Sequence, residues 1–266
     1  MNTHITGHMI VKNEDRWVWF AIQSALPYVD QLLIIDTGST DKTIDCIKSI
    51  KSSKISLLQT TISSQEDMTA LRNKQLAETK TNWIWIIDGD EIYTPQGAKE
   101  ITQAVSQDLK GIVVRRYDLL GDIYHRQVES IGEYHLLNNR GHLLVRLINV
   151  DYFPGLHVAR PYPLEAYLDN QNRVIHNYDQ HKWFITQHHL YHAMYLTRSS
   201  LGNNLAMFNR SKYKVETGLK IEDSIPEVFS LERPNFVQSP IIQRGFGYEL
   251  AASIITPIKD LKRKFI

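Results

Sequence analysis

The first half of the chain alternates between short apolar runs and segments with helical spacing. The runs fall at residues 8–12, 31–36, 54–59 and 82–88. LLIID and WIWIID are apolar throughout, as expected of strands covered on both faces. Between them, Trp17, Phe20, Ala21, Ser24 and Ala25 share one helical face. Ile44, Ile47 and Ile50 share a second, and Met68, Leu71 and Leu76 a third. This alternation predicts βαβ units and a mostly parallel sheet.

The pattern continues with a helix over 95–107, where Pro95 suits the first turn, and with strands over 111–117 and 143–150. The polar segment 118–141 has no clear period and reads as a long loop or small hairpin, often a functional element in a compact domain. Beyond Asp151, aromatics, histidines and prolines dominate up to about residue 178. A helical stretch is expected from near His181 to Leu205. Residues 222–243 are loop-like, with Pro226, Pro234 and Pro240. A last helix is expected over 248–265, interrupted by Pro257. The expected organisation is one α/β domain over 1–205 and a C-terminal extension over 206–266.

Composition narrows the function. The chain has 266 residues, 42% hydrophobic and 22% charged, with a net charge of +1. That length supports a substantial core. The near-zero charge argues against broad nucleic-acid binding, so no nucleic-acid partner is expected. The single cysteine, Cys46, permits no intrachain disulfide. The first residues show no signal-peptide pattern, and no run approaches the ~18 apolar residues of a membrane span. The expected location is cytoplasmic.

In parallel α/β sheets, ligands bind at the carboxyl ends of strands. Three polar clusters fall there: Lys12-Asn13-Glu14-Asp15, Asp36-Thr37-Gly38-Ser39-Thr40-Asp41 and Asp88-Gly89-Asp90-Glu91. Two carboxylates around one small residue can face a single site, and Mg²⁺ and Mn²⁺ prefer such oxygens. Gly89 allows tight backbone geometry and close ligand approach. An EF-hand is excluded because Tyr93 stands at the sixth position from Asp88 and Lys99 at the twelfth. A solvated acidic turn explains the tetrapeptide alone; its place after an apolar strand points to a ligand site. Turn chemistry accounts for Gly38, and Thr40 is expected to cap a helix beginning at Asp41. Asp36 is not so explained, and its carboxylate could accept from a nucleobase imide or a ribose hydroxyl.

With their spacing, the stretches MIVKNED, LLIIDTGSTDKT, ALRNKQLAETKTNWIWIIDGDE and RLINVDYFPGLH resemble the family 2 glycosyltransferases of GT-A fold over roughly the first 160 residues. The similarity is greatest to the branch whose first strand ends in KNE, which includes lipopolysaccharide-core glucosyltransferase-like enzymes of polysaccharide biosynthesis. The resemblance implies a mixed central sheet flanked by helices, with a nucleotide-sugar half over 1–117 and an acceptor half over 118–205. Val11, Asn13 and Glu14 would line the nucleotide pocket, Asp36 would contact the base, commonly uracil, and Arg72 would lie near the donor. Asp88 and Asp90 would form the DxD motif that binds Mn²⁺ or Mg²⁺ and the diphosphate, where a metal stabilises the leaving-group charge.

The implied reaction is transfer of a hexose from a UDP-type donor to a glycan, lipid-linked or other acceptor hydroxyl, with inversion. It needs a carboxylate base. The nearest branch has Glu after the His of its glycine loop, but Val158 follows His157 here. Glu165 is the next candidate and Asp169 the reserve. The family's metal-shell histidine would be His176, with His157 as rival. On a helix, His188 and His192 would share a face, but a zinc protease would need Glu where His189 stands. Packing or the acceptor side is the expected role, and Arg198-Ser199-Ser200 could meet phosphate.

Two rivals remain. A sugar nucleotidyltransferase would open with a glycine-rich basic loop, where this chain has KNED. A degenerate domain would bind nucleotide or glycan without turnover. Finally, Ile254, Ile255, Ile258, Leu261 and Phe265 with Lys259, Lys262, Arg263 and Lys264 form a stripe with basic flanks. It suits either packing on its own domain or peripheral contact with an anionic inner membrane surface.

Overall fold

β1 (Ile5–Val11), β2 (Gln31–Asp36), β3 (Ile55–Gln59) and β4 (Trp83–Ile86) coincide with the four apolar runs and pair in parallel, in the order β3-β2-β1-β4. The computed structural model describes residues 4–106, 108–177, 181–197 and 214–265. The crossovers carry α1 (Val18–Ala25), α2 (Thr43–Ser49) and α3 (Gln65–Glu78). β4 shows why its run is apolar throughout. Trp83 and Trp85 enter the main core, while Ile84 and Ile86 enter a second cluster with Ile148 and Phe153 on the other face. Burying each isoleucine stabilises the fold by about 1.5–3 kcal/mol.

The chain continues through β5 (Glu91–Ile92), α4 (Pro95–Ala104), β6 (Gly111–Asp118), β7 (His125–Arg126), β8 (Tyr134–Leu136), β9 (Asn139–Gly141) and β10 (Leu143–Asn149). Then follow β11 (His157–Ala159), β12 (Ala166–Leu168), β13 (Trp183–His192), β14 (Leu219–Lys220) and α5 (Phe246–Arg263). The main sheet has eight strands in the order β3-β2-β1-β4-β10-β6-β13-β5. β10 is antiparallel to both β4 and β6, and β13 is parallel to β6. Consequently β1, β2, β4, β6 and β13 all end at one edge.

Local chemistry sets the helix starts. Ser64 and Asp67 form a capping box on α3. Thr94 Oγ1 accepts from Gly97 N at 3.1 Å to cap α4, with Pro95 in its first turn. α2 departs from expectation: it begins at Thr43, and Thr40 does not cap it. Asp41 Oδ1 instead accepts from Thr43 N at 2.9 Å, while Thr40 N is drawn to Asn13 Oδ1 at 2.7 Å.

The second half corrects the sequence reading more deeply. The helix expected from His181 is the strand β13 as far as His192; the part beyond 197 lies outside the described residues. Its apolar ends, Trp183-Phe184-Ile185 and Leu190-Tyr191, pair with β6 on either side of a register shift between Ile185 and His189. Segment 118–141 contains the hairpin β8–β9, and β7 pairs with β14. Ile221, Val228, Phe229 and Val237 belong to the main core, so the tail packs on the α/β body. α5 runs through Pro257 without interruption.

Candidate active site

The site is built on the shared carboxyl edge. Asn13 turns the chain after β1 with φ of 53°, a left-handed conformation that asparagine tolerates. Its backbone N donates to Ser39 Oγ at 2.8 Å, and its Oδ1 accepts from Thr40 N. Glu14 N donates to Thr43 Oγ1 at 2.7 Å. Asp36 Oδ1 accepts from Gly38 N and Ser39 N, both at 3.0 Å, and its Oδ2 accepts from Ser39 Oγ. Gly38 sits at φ +93°, which a side chain would strain. These bonds lock the first two polar clusters together.

The third cluster rests on the first. A Cβ at Gly89 would meet Val11 Cγ1 at 3.0 Å and Glu14 Cγ at 3.3 Å, so the absent side chain lets the Asp88-Gly89-Asp90 turn lie against both. Arg146, entering from β10, donates through Nη2 to Asp88 Oδ2 at 2.8 Å and to Glu91 Oε1. Glu91 is fully buried; burial pushes its carboxyl above the ordinary value and the Arg146 charge opposes that. Arg72 from α3 lies 3.8 Å from Asp88 Oδ1 through Nη2, and 3.6 Å from Glu165 Oε1 through Nε. Burial raises the half-buried Glu165 carboxyl above its ordinary value; the Arg72 charge opposes this and Asp88 adds to it.

A second chain of groups joins β4, β6 and β13. Asp118 and His192 end their strands in register with each other. His192 Nδ1 lies 2.8 Å from Asp118 Oδ1, and Nε2 lies 3.5 Å from Asp90 Oδ2. Burial would raise Asp118, but its hydrogen bond with His192 and the charges of His192, Arg116 and His142 hold it down to about 2. Ala193 N also donates to the Asp90 carbonyl at 2.9 Å, fixing the turn to the end of β13.

These elements enclose a cavity of about 660 Å³. Of the expected site residues, Val11, Glu14, Arg72, Asp88, Gly89, Asp90, Glu165 and His176 line it. Asn13 and Asp36 are buried behind that wall, holding the loops that form it. Asp169 lies outside the lining, its carboxylate accepting from Gln171 N, Arg173 N and the Arg173 side chain. His157 lies outside it too, with Nδ1 2.9 Å from the Gly155 carbonyl. Burial lowers His176. Among the described residues, no three His, Cys, Asp or Glu side chains converge as a metal-holding group. His188 pairs with Glu100 at 2.8 Å and, unlike His192, does not line the cavity. Arg198-Ser199-Ser200 lie outside the described residues.

Arg146, Arg116 and Asp118 were given no role from sequence, and His192, expected to pack or to line the acceptor side, lines the cavity beside Asp90. The signal for Arg146 was a single charge inside the otherwise apolar strand LLVRLIN, and for Arg116 a charge directly after the apolar run of GIVVRRYD. Arg72 Nη1 and Arg146 Nε are buried donors without a hydrogen-bond partner among the described residues.

The family model "Glycosyl transferase family 2" matches residues 8–201. The chain belongs to glycosyl transferase family 2. Its α/β sheet is the mixed central sheet of the GT-A glycosyltransferases. The SPbeta prophage-derived glycosyltransferase SunS of Bacillus subtilis (strain 168) is 28% identical over 105 residues, covering 37% of this chain and 23% of that protein. The same figures hold for glycosyltransferase SunS of Bacillus phage SPbeta. The matched stretch thus spans less than a quarter of these relatives. Among solved structures, similarity extends to glucosyl-3-phosphoglycerate synthase from Mycobacterium tuberculosis in complex with Mn²⁺, uridine diphosphate and glucosyl-3-phosphoglycerate. It is 20% identical over 45% of this chain and 46% of that one, with a TM-score of 0.34. Mannosyltransferase PcManGT from Pyrobaculum calidifontis, in complex with GDP-Man and Mn²⁺, is 13% identical over 44% and 36%, with a TM-score of 0.37.

Proposed function

We propose that this family 2 glycosyltransferase moves a hexosyl group from a UDP-sugar to an acceptor hydroxyl with inversion, and that its KNE opening places it near the lipopolysaccharide-core branch. The observation that carries the reading is the row Asp88–Arg72–Glu165 across one cavity. It sets a carboxylate of raised basicity opposite the DxD turn, with a guanidinium between them. Buried donors that lack protein partners are expected to meet a ligand, and Arg72 Nη1 and Arg146 Nε suit a diphosphate.

The donor set fits a divalent cation. Asp90 would supply an oxygen ligand and His192 its Nε2 beside it, while Asp118 holds the other ring nitrogen, the usual support of a ligating histidine. Two protein donors leave room for phosphate and water, as Mg²⁺ and Mn²⁺ prefer. This favours His192 as the metal-shell histidine over the expected His176 and its rival His157; His176 then lines the wall. When bound, the metal neutralises charge on the departing diphosphate. Glu165 takes the proton from the acceptor hydroxyl, and Arg72 orients Glu165. Asn13 and Asp36 hold the nucleotide-facing loops in shape, with Val11 and Glu14 in the wall itself.

The test is slow hydrolysis of UDP-sugars with Mn²⁺, together with a thermal-shift screen of nucleotides, since a ligand of the folded state raises apparent stability. Hydrolysis that Asp90→Ala removes supports the reading. A shift with GDP or CDP compounds and none with UDP compounds overturns the donor. A second reading, a non-catalytic nucleotide-binding module, draws on Val158 at the position where the nearest branch has an acid and on the engagement of Asp88 by Arg146. Absence of hydrolysis and transfer with every donor, alongside nucleotide binding, would establish it.

A further inference from the structure

α5 is turned inside out. Its inward face is polar. Tyr248 Oη donates to the carbonyls of Lys214 and Glu216 at 3.0 and 3.2 Å. Thr256 Oγ1 accepts from Thr217 N at 2.8 Å. Lys259 Nζ and Arg263 Nη2 lie 3.1 and 2.9 Å from the buried carboxylate of Glu216. Only Ala252 of the whole helix is buried.

The outward face is apolar. Phe246, Leu250, Ile254, Ile258 and Leu261 recur at intervals of three or four, so they form one stripe along the helix, and Phe265 follows just past its end. Each is more than half exposed, Phe246 and Phe265 more than 80%. Ile242, just before the helix, is 62% exposed. A stripe of this kind is the reverse of a helix packed on its own domain, where the apolar face turns inward. The exposed Lys262 and Lys264 flank it at the C-terminal end. The acidic side chains Glu249 and Asp260 are already engaged by Arg244 and Arg263.

We propose that α5 lies in the surface of an anionic lipid bilayer, its apolar stripe and Phe265 below the headgroups and Lys262 and Lys264 at their level. Charge complementarity selects this occupant. The bilayer supplies both an apolar phase and counter-charge to the lysines, whereas a second copy of the helix offers apolar surface but has its own acids occupied. No helix among the described residues is long and apolar enough to cross a membrane, in keeping with a helix that lies on one.

The test is co-sedimentation of the full chain with vesicles of phosphatidylcholine alone or mixed with phosphatidylglycerol. The chain should bind the mixed vesicles more tightly. Lys262→Gln with Lys264→Gln should weaken that binding about 30-fold, from about 1 kcal/mol per basic residue at an anionic surface. Ile254→Glu with Ile258→Glu should abolish it with thermal unfolding unchanged, since both side chains point outward. The lysine variant keeps the stripe intact, so its result stands even if the glutamate variant fails to fold. The proposal is overturned if the chain stays in the supernatant, or if the lysine variant binds like the unaltered protein. It is equally overturned if gel filtration shows a dimer that the glutamate variant splits while no vesicle binding occurs.

Discussion

Arg146 Nη2 stands 2.8 Å from Asp88 Oδ2, and the same nitrogen holds the fully buried Glu91. One guanidinium from an antiparallel strand therefore fixes the first acid of the Asp88-Gly89-Asp90 turn and neutralises an acid beneath it. Arg146→Met should destabilise the fold by about 3–5 kcal/mol, because Glu91 would be left charged and alone in the core. Adding Glu91→Gln should recover much of the loss. A urea-unfolding double-mutant cycle measures this; additive effects would show that the pair is not coupled.

Gly89 makes a different prediction, because its missing side chain is what lets two loops meet. Ala at this position would press on Val11 Cγ1 at 3.0 Å and Glu14 Cγ at 3.3 Å. The expected cost is about 1–3 kcal/mol of stability, from overpacking. Nucleotide affinity should fall as well, because the wall formed by Val11, Glu14 and Asp88 would shift. Calorimetric titration with UDP on the folded variant checks this; unchanged affinity would mean that the wall does not touch the nucleotide.

Much of the sheet was legible because β1, β2 and β4 are buried on both faces and so carry unbroken apolar runs. The three acidic loops were legible for a related reason: a polar cluster that ends such a run must lie at the sheet's edge. β13 was not legible. Its apolar residues sit at the two ends, and its middle, Thr186 to His189, is where the register with β6 slips. The spacing of His188 and His192 then mimics a helix face, and pairing with β6 overrides it. Asp118 and His192 become partners only through that pairing, 74 residues apart. The outward stripe of α5 could not be oriented from sequence, because its inner face is set by Glu216, a residue in the tail.

His8 gives the pH dependence. It is almost fully buried, with Nε2 2.7 Å from Thr79 Oγ1. Burial first, and the Arg72 charge second, lower it from 6.5 to about 3. Below pH 6.5 the unfolded chain takes up a proton that the folded chain refuses. Stability should therefore be complete above pH 6.5 and fall towards pH 3, with a slope from this group of up to about 1.4 kcal/mol per pH unit. His8→Gln should flatten the curve in that window. An unchanged slope in a melting series would show that His8 titrates normally.

Glu165 should be separable from donor binding. Glu165→Gln keeps the shape and removes the proposed base. Transfer should fall by about 100- to 10,000-fold, the usual contribution of a positioned base, with UDP affinity nearly unchanged. Steady-state transfer with a simple hydroxyl acceptor measures this. Full activity in the variant would move the base elsewhere.

The most direct test of the central claim is Mn²⁺-dependent hydrolysis of a UDP-hexose by the unaltered chain, beside Asp90→Ala and His192→Ala. The account predicts measurable turnover with metal, and loss in both variants while their unfolding stays cooperative. Turnover that persists in Asp90→Ala, or that ignores added metal and chelator alike, would contradict it.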